Sequence, residues 1–336
     1  MMVISRTPYR ISFFGGGTDY PSWYLNNNGG VLSTTIDKYC YMSCRSLPPF
    51  FRHRFRIAYS KIEECESIDQ IQHPAAREVL RFLGIKEGVE VHHDGDLPAR
   101  SGMGSSSAFT VGLLNALYGM QGKMVGKLRL ALESIRIEQD MIGETVGCQD
   151  QVSAAYGGFN HIEFLADGRV EVHPVILPVC RTEELNSHLM LFFTGIFRVA
   201  SRIAESYAVS VADVEREKRL QVMAGMVQEA KALLTGKWSV KEFGRLLHEA
   251  WQIKRGLSDK VTSGPIDDIY SVARKNGAIG GKLLGAGGGG FMLLLVPPDK
   301  HGALREALSE LLCVPARMEY AGSQVIYYDP GQTHFG

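Results

Sequence analysis

The chain has 336 residues and no net charge, because 36 lysines and arginines balance 36 aspartates and glutamates. That length accommodates two domains of ~150 residues each. The balanced charge argues against a general binder of nucleic acid or anionic membrane, whose basic excess would show in the total. Hydrophobic residues make up 45% of the chain, as in an ordinary globular protein, but its 37 glycines exceed the usual ~7% share.

No targeting or membrane-spanning segment is expected. The N-terminal residues, "MMVISRTPYR", lack the apolar core of a signal peptide. The longest apolar run, "FMLLLV" at 291–296, is far shorter than the ~20 residues that span a bilayer. Six cysteines are scattered without C-x-x-C spacing, which predicts reduced, mostly buried thiols and no structural metal. We therefore expect a cytoplasmic protein.

The first half of the chain predicts strands followed by helices. Alternating apolar and polar residues at 3–14 are typical of a strand, and apolar residues recur at helical spacing over 125–142. In chain order, the patterns predict a strand at 3–14, one or two strands at 29–47, a strand at 50–60, a helix at 74–83, a strand at 88–98, helices at 105–119 and 125–142, and a hairpin at 156–177 around "ADG".

The second half is richer in helices, and we expect domains 1–180 and 181–336 with their boundary near 175–188. The patterns predict helices at 200–233, 239–256, 264–276 and 299–312, a glycine-rich loop running into a buried strand at 291–296, and a closing strand at 324–330. Because the strands group in antiparallel fashion rather than in regular βαβ units, the fold class is α+β.

The glycines cluster in three segments, "FFGGGTDY" (13–20), "SGMGSSSA" (101–108) and "GGKLLGAGGGGF" (280–291). Close approach of backbone to a ligand would require such clusters. Residues 285–290 formally match the dinucleotide pattern G-x-G-x-x-G, but a predicted helix precedes them and a strand follows, so we reject that interpretation. No P-loop sequence occurs.

The segment "LPARSGMGSSSAFTVGLLNALYG" (97–119) opens a helix with a hydroxyl-rich loop. The unpaired amides and partial positive charge of a helix N-terminus suit a phosphate. A serine N-cap beside turn glycines explains the same residues without a ligand. The segment alone leaves both interpretations open.

Two carboxylates follow at a spacing that suits phosphoryl transfer. Glu138 lies on the predicted helix and Asp150 in the loop after it. One could hold Mg²⁺, which prefers oxygen ligands, while the other accepts a proton from an attacking hydroxyl. Taken singly, Glu138 also fits a solvated helical carboxylate and Asp150 a loop cap.

Taken together, "TPYRISFFGGGTDY", "PARSGMGSSSA" and "KLLGAGGGGF" resemble the three motifs of the GHMP kinase superfamily, in order. The resemblance implies an N-terminal domain like ribosomal protein S5 domain 2 and a ferredoxin-like C-terminal domain. ATP and Mg²⁺ would bind in the crevice between them.

The resemblance also implies residue roles. Asp150 would be the catalytic base, and Arg10 would steady charge on the attacking oxygen. Ser106 and Glu138 would hold Mg²⁺. The nucleotide would contact Gly102, Met103, Gly104, Ser105, Ser106, Ser107, Gly285, Gly287 and Gly288. The substrate would contact Arg10, Gly16, Gly17, Thr18, Asp19 and Asp150.

Within the superfamily, Arg10 and Asp19 match members that act on sugars, whereas Gly16 replaces the glutamate of galactokinases. "GGGTDYPSW", "HEAWQIKRGLSDKV" and "NGAIGGKLLGAGGGGF" are most similar to kinases of D-glycero-D-manno-heptose 7-phosphate. These phosphorylate the anomeric hydroxyl on the way to nucleotide-activated heptose for surface glycans. A second substrate phosphate would then need a site, for which the candidates are Arg198, Lys254, Arg255, Arg52, Arg54 and Arg56. Alternating basic residues on a strand equally fit a solvated face.

Two alternatives stay open: a related kinase for fucose, galactose or another sugar phosphate, and a catalytically silent sugar-binding homologue. The partner expected is a small-molecule sugar or sugar phosphate, with a homodimer as an option and neither nucleic acid nor membrane. The pair "HH" at 92–93 is expected to be structural or on the surface, because no ligand set accompanies it.

Overall fold

The computed structural model describes residues 1–196, 214–236 and 239–331. These residues form two sheets with helices packed against them, which confirms the α+β class. The larger sheet has nine strands, and all of its pairings are antiparallel except that between the third and fifth strands. The smaller sheet has four antiparallel strands.

The larger sheet is built around two long N-terminal strands, β1 (Met2–Phe14) and β2 (Gly29–Ser46). The first six residues of β1 alternate between half-buried and buried, as the sequence pattern predicts, and its remaining residues are buried throughout. The other strands of this sheet in the first half are β3 (Phe55–Ala58), β4 (Ile62–Cys65), β5 (Val89–Gly95), β6 (Phe159–Phe164) and β7 (Val170–Pro174).

Five helices accompany these strands. They are α1 (Pro21–Asn27), α2 (Pro74–Phe82), α3 (Ser105–Met120), α4 (Lys127–Arg136) and α5 (Gln149–Tyr156). The central one is α3, which packs on β1 and β2 and is buried on nearly all sides. A helix that is apolar all round belongs in a core, and its N-terminus is therefore held rigidly at the sheet.

The smaller sheet has the order β11-β8-β10-β9, formed by β8 (Leu189–Phe193), β9 (Gly280–Leu283), β10 (Phe291–Leu295) and β11 (Leu312–Val314). The helices of this half are α6 (Val179–His188), α7 (Val214–Thr235), α8 (Val240–Arg255), α9 (Gly264–Lys275) and α10 (His301–Ala307).

The last two strands return to the larger sheet: β12 (Met318–Glu319) pairs with β2, and β13 (Gln324–Asp329) pairs with β1. The division into domains 1–180 and 181–336 stays a prediction, but the two sheets do not separate at residue 180. A local pattern cannot show this pairing, because the strand partners lie about 320 residues apart in the chain.

Several elements differ from the sequence-based expectation. The strand expected at 50–60 is only Phe55–Ala58, and the helix expected at 299–312 is reduced to α10 after a short 3₁₀ turn. Helices α1, α5 and α6 and strands β4, β8 and β9 were not predicted. Most of these are short, so their hydrophobic pattern spans too few residues to stand out. Residues 200–213 of the predicted helix lie outside the described residues.

The cysteines behave as expected: all six are free, and Cys40, Cys44, Cys65 and Cys148 are buried. In the described parts of the chain, no helix is both long and apolar enough to cross a membrane. Strand β9 directly precedes the G-x-G-x-x-G pattern at 285–290, where a helix was expected. Rejection of the dinucleotide fingerprint still holds, because strand β10 rather than a helix follows the loop.

Candidate active site

A cavity of about 1190 Å³ brings together residues from both halves of the chain. Its lining includes the loop after β1, the N-terminus of α3 and the loop between β9 and β10. The predicted site residues that line it are Arg10, Gly16, Gly17, Asp19, Gly102, Gly104, Ser105, Ser106, Ser107, Glu138, Asp150, Gly285 and Gly287. Residues spread over more than 270 positions of sequence therefore share one cleft.

At the centre of the cavity, Arg10 forms a bidentate ion pair with Asp150. Nε and Nη2 of Arg10 donate to the two carboxylate oxygens of Asp150, each at 2.7 Å, and Nη1 donates to the carbonyl oxygen of Gly102 at 2.6 Å. The Arg10 side chain is 5% exposed, whereas that of Asp150 is 25% exposed. This fork geometry fixes the carboxylate and leaves Asp150 accessible to a ligand.

The structure corrects the expected setting of Asp150. It lies in the first turn of α5, not in a loop. An acidic residue is favourable near a helix N-terminus because the helix dipole is positive there. The helix-cap interpretation does not apply, because the residue before the helix is Cys148 and the Asp150 carboxylate is bound by Arg10.

Asp19 lies beside this pair and is almost completely buried. Its Oδ1 accepts from the amide of Gly17 at 2.9 Å, and its Oδ2 accepts from the amide of Gln149 at 3.3 Å. Burial raises the pKa of Asp19, and the charge of Asp150 adds to this, although the two amides counteract it. An aspartate held this way keeps lone pairs for ligand hydroxyl groups.

The loop before α3 is shaped by two glycines, Gly102 (φ +79°) and Gly104 (φ +74°), in the left-handed region. Gly104 occupies the N-cap position, and no side chain caps the helix. The explanation of the serines as an N-cap is therefore wrong. The amides of the first turn are left without a side-chain partner at the cavity wall, the arrangement that suits an anion.

Glu138 lies on a π-helical turn (Ile137–Met141) that continues α4, and its side chain is buried. Its Oε2 accepts from Ser107 Oγ at 3.0 Å and from Gln151 Nε2 at 2.6 Å, whereas Oε1 is buried without a hydrogen-bond partner. Burial raises the pKa of Glu138 to about 7. The interpretation as a solvated carboxylate is therefore wrong.

An orphaned buried carboxylate oxygen in a cavity wall is costly unless a cation or donor meets it. Ser106, which is exposed to the cavity, supplies a hydroxyl oxygen in the same lining. Hard oxygen donors of this kind, few in number, are what Mg²⁺ accepts when nucleotide phosphates and waters complete its shell. Ser106 and Glu138 thus fit a magnesium site.

Three residues assigned to ligand contact by resemblance are not part of the cavity lining. The Thr18 hydroxyl is buried and donates to the carbonyls of Gly15 and Gly30. Met103 is fully buried, and the amide of Gly288 donates to the Val261 carbonyl at 2.9 Å. These residues support the walls, and their side chains or amides are engaged within the protein.

The third glycine cluster owes much of its composition to close backbone packing. A Cβ on Gly285 would lie 2.6 Å from the Cα of Gly102, and a Cβ on Gly290 would lie 2.2 Å from the carbonyl oxygen of Ser101. Contacts this short do not occur with real side chains. The glycines therefore allow the backbone of the second motif to contact the backbone of the third motif directly at the cavity.

Two buried lysines, Lys254 and Lys282, also line the cavity. Lys282 was not among the predicted site residues. Lys254 Nζ donates to the Gly285 carbonyl at 2.6 Å, and Lys282 Nζ donates to the Phe13 carbonyl at 2.9 Å. Burial and then the charge of Arg10 lower the pKa of Lys254 to about 8. Burial likewise lowers the pKa of Lys282 well below its usual range. The signal that could have identified Lys282 as a site residue is a lysine within a buried strand.

Another part of the cavity lining consists of aromatic side chains. The rings of His73 and Phe109 stack with centroids 4.4 Å apart, and His93 meets Phe109 edge-on at 5.2 Å. Tyr59 packs against His73, and burial lowers the pKa of His73 to about 4. His93 lines the cavity and packs against Phe109, and the expectation that the pair at 92–93 is structural or on the surface stays a prediction.

Of the candidates for a second phosphate site, only Lys254 lines the cavity among the described residues. Arg56 pairs with Glu90, Arg54 bonds the Lys86 carbonyl, and Arg255 pairs with Asp267 at 2.7 Å. The basic segment that holds Arg52, Arg54 and Arg56 is therefore a surface feature. Arg198 lies outside the described residues.

Comparison with known proteins assigns the family. The model of the GHMP kinases N-terminal domain matches residues 70–158, and that of the GHMP kinases C-terminal domain matches residues 231–312. The chain belongs to the GHMP kinase family. A D-glycero-alpha-D-manno-heptose 7-phosphate kinase from Campylobacter jejuni is 31% identical over 90% of this chain and 92% of that protein.

Two further relatives are named as kinases of sugars. A crystal structure of a D-glycero-D-manno-heptose 1-phosphate kinase from Bacteroides thetaiotaomicron superposes with a TM-score of 0.79 at 26% identity, covering 98% of this chain and 100% of that one. A Pyrococcus furiosus galactokinase is 25% identical over 90% of this chain and 91% of that protein. This GHMP kinase is therefore a kinase of sugars or sugar phosphates.

Proposed function

We propose that this GHMP kinase transfers the γ-phosphoryl group of ATP to the anomeric hydroxyl of D-glycero-D-manno-heptose 7-phosphate. The observation that carries the proposal is the Arg10–Asp150 pair, which lies in the same cavity as the uncapped N-terminus of α3 and the orphaned oxygen of Glu138. Base, anion site and cation site are the three parts that in-line phosphoryl transfer needs.

Asp150 acts as the general base. Arg10 occupies one lone pair on each of its oxygens, which leaves others free to accept the proton of a sugar hydroxyl. As that proton leaves, negative charge grows on the attacking oxygen, and the guanidinium of Arg10 stabilises it in a site with little water. Asp19 orients the sugar by accepting from its hydroxyl groups.

The loop from Gly102 to Ser107 binds the triphosphate with the amides of the first turn of α3. Ser106 and Glu138 hold Mg²⁺, which when bound neutralises the phosphate charge. Lys254 adds positive charge to the lining of the same cavity. The nucleotide and magnesium requirements follow from the family, whose members are ATP-dependent kinases.

The choice of heptose rests on the relatives and on one local feature. The two heptose kinases agree on the sugar and differ in the phosphate named. Gly16 lies in the cavity wall, and a Cβ placed there would be 3.5 Å from both Gln149 Nε2 and Ser12 Oγ. Glycine here places no side chain in the cavity, where galactokinases carry a glutamate, and this suits a substrate larger than galactose.

An ATP-consumption assay with a sugar panel tests the proposal. The panel contains heptose 7-phosphate, heptose 1-phosphate, mannose 6-phosphate, galactose and fucose, and phosphorus NMR locates the new phosphate. We expect the highest kcat/KM for heptose 7-phosphate, with a sugar bisphosphate phosphorylated at the anomeric oxygen as the product. A higher kcat/KM for galactose or fucose, or phosphate on another oxygen, would replace the heptose assignment.

A further inference from the structure

The hairpin of β6 and β7 carries a cluster of four ionisable side chains away from the active-site cavity. His161 pairs with His173 across the two strands, and Glu163 pairs with Glu171. Because residues two apart on a strand share a face, all four side chains lie on the same side of the hairpin. The sequence signature is H-x-E on β6 opposed to E-x-H on β7.

The ligand atoms of this cluster lie close together. His173 Nε2 is 3.1 Å from Glu163 Oε2 and 3.5 Å from Glu171 Oε2, and one ligand atom from each of the three residues lies within 4.8 Å of the others. Like charges directly opposite in a sheet are destabilising. The Glu163–Glu171 pair therefore favours a cation between its carboxylates.

A second feature points to the same place. His161 is 1% exposed, its Nε2 is buried without a hydrogen-bond partner, and that atom lies 3.7 Å from Glu163 Oε1. Gly30 on the neighbouring strand leaves space there, because a Cβ at Gly30 would lie 3.5 Å from this nitrogen. A buried polar nitrogen without a hydrogen-bond partner, facing a carboxylate of the cluster, marks this side of the hairpin as a polar site that lacks a partner.

We propose that Glu163, Glu171 and His173 bind a divalent transition metal of the zinc class, with the buried His161 Nε2 beside the site, 3.7 Å from Glu163 Oε1. Mixed imidazole and carboxylate ligands favour Zn²⁺ over Mg²⁺ or Ca²⁺, which prefer oxygen alone. Tetrahedral bonds of ~2.1 Å place neighbouring ligand atoms ~3.4 Å apart. The separations of 3.1 and 3.5 Å between His173 Nε2 and the two glutamates lie close to that value.

Two basic side chains oppose a metal at this position. Lys231 Nζ lies 3.4 Å from His161 Nδ1, and Arg169 Nη1 lies 3.2 Å from Glu171 Oε1. The Lys231 ammonium and the Arg169 guanidinium both repel a cation bound at the neighbouring carboxylates. Removing the Lys231 charge should therefore tighten metal binding, whereas a histidine–glutamate hydrogen-bond cluster without a metal would show no such gain.

The test uses the untagged full chain, metal-stripped and then exposed to Zn²⁺ or Co²⁺. We expect one Zn²⁺ per chain by mass spectrometry after gel filtration, and a visible absorption band of tetrahedral Co²⁺. His173→Ala and Glu171→Gln should each weaken Zn²⁺ binding by about tenfold or more. Lys231→Met should strengthen it. Binding is read by calorimetry, so the result does not depend on kinase activity.

Asp299→Asn is the control, because Asp299 is an exposed carboxylate that contacts Lys300 and none of the cluster residues. It should leave Zn²⁺ affinity unchanged. None of the four cluster residues lines the active-site cavity, so turnover with Mg²⁺ should be normal in Glu171→Gln and verifies its fold. Absence of retained Zn²⁺, or equal weakening by Asp299→Asn and Glu171→Gln, would overturn the proposal.

Discussion

At the scale of single residues, Asp150 is a carboxylate whose position depends on Arg10 from the first strand. Replacing it with asparagine keeps its size and one acceptor oxygen for Arg10, but removes the base. We expect Asp150→Asn to lower kcat by ~100-fold or more, the upper part of the range for acid–base catalysis. ATP affinity, measured by equilibrium binding, should stay close to that of the unchanged chain.

Asp140→Asn provides the control, since Asp140 is exposed on the π-helical turn and does not line the cavity. It should leave kcat unchanged. Thermal unfolding of both variants separates a lost base from a damaged fold, because Arg10 loses part of its ion pair in Asp150→Asn. Near-normal turnover of a well-folded Asp150→Asn would remove Asp150 from the role of base.

We expect the buried charge of Lys254 to lower the stability of the fold and to support activity. Burial lowers its pKa to about 8 from an ordinary value of 10.5. Between these values the unfolded chain binds more protons than the folded one, so the cost of burying the charge is full below pH 8 and declines toward pH 10.5. Lys254→Met should therefore raise the free energy of unfolding at pH 7 by ~2 kcal/mol, after allowance for the lost hydrogen bond to Gly285.

That gain should shrink as the pH rises from 8 to 10, in denaturant unfolding curves measured at each pH. The kcat/KM of Lys254→Met should fall at pH 7, because a positive charge is lost from the cavity wall. Lys241→Met, which removes an exposed lysine from the same helix, should change neither quantity appreciably. A gain in stability that is equal at pH 7 and pH 10 would contradict the titration of Lys254.

At the scale of elements, the start of α3 and the π-helical turn together hold the proposed magnesium ligands. Ser106→Ala should raise the Mg²⁺ concentration needed for half-maximal activity about tenfold, with little change in saturated kcat. Ser105→Ala, one residue earlier on the same turn, should leave that concentration unchanged. An identical magnesium titration for Ser106→Ala would take Ser106 out of the metal site.

The long elements were predictable because their periodicity extends over many residues. The first strand and the helices at 74–83 and 105–119 were located to within one or two residues. The π-helical turn was not predicted, because a single extra residue per turn leaves the apolar spacing of 125–142 nearly unchanged. Helix α5 was missed because its eight residues contain few strongly apolar side chains.

At the scale of the whole molecule, the cavity depends on contacts between distant segments, and only part of it could be predicted from the sequence. The motifs indicated that Arg10, Glu138 and Asp150 share a cleft, and they do. No local pattern shows which side chains are already engaged, as in the case of Thr18, or that Lys282 is buried against the Phe13 carbonyl. Such facts follow only from tertiary packing.

The second and third motifs contact each other through their backbones, and at this contact the two halves of the chain that line the cavity meet. Gly285 has a φ of +72°, and a Cβ there would lie 2.6 Å from the Cα of Gly102. Gly285→Ala should therefore lower the free energy of unfolding by ~1–3 kcal/mol from backbone strain, with further loss from the clash. It should also reduce kcat, since Gly102 bonds Arg10.

Gly302→Ala is the matched control, because Gly302 lies in α10 and a Cβ there would meet nothing within 4 Å. Alanine is the better helix former, so this variant should be unchanged or more stable by up to ~1 kcal/mol, with normal turnover. Denaturant unfolding and steady-state kinetics of the two variants make the comparison. If Gly285→Ala matched Gly302→Ala in both measurements, close contact between the two motifs would not be what holds the cavity together.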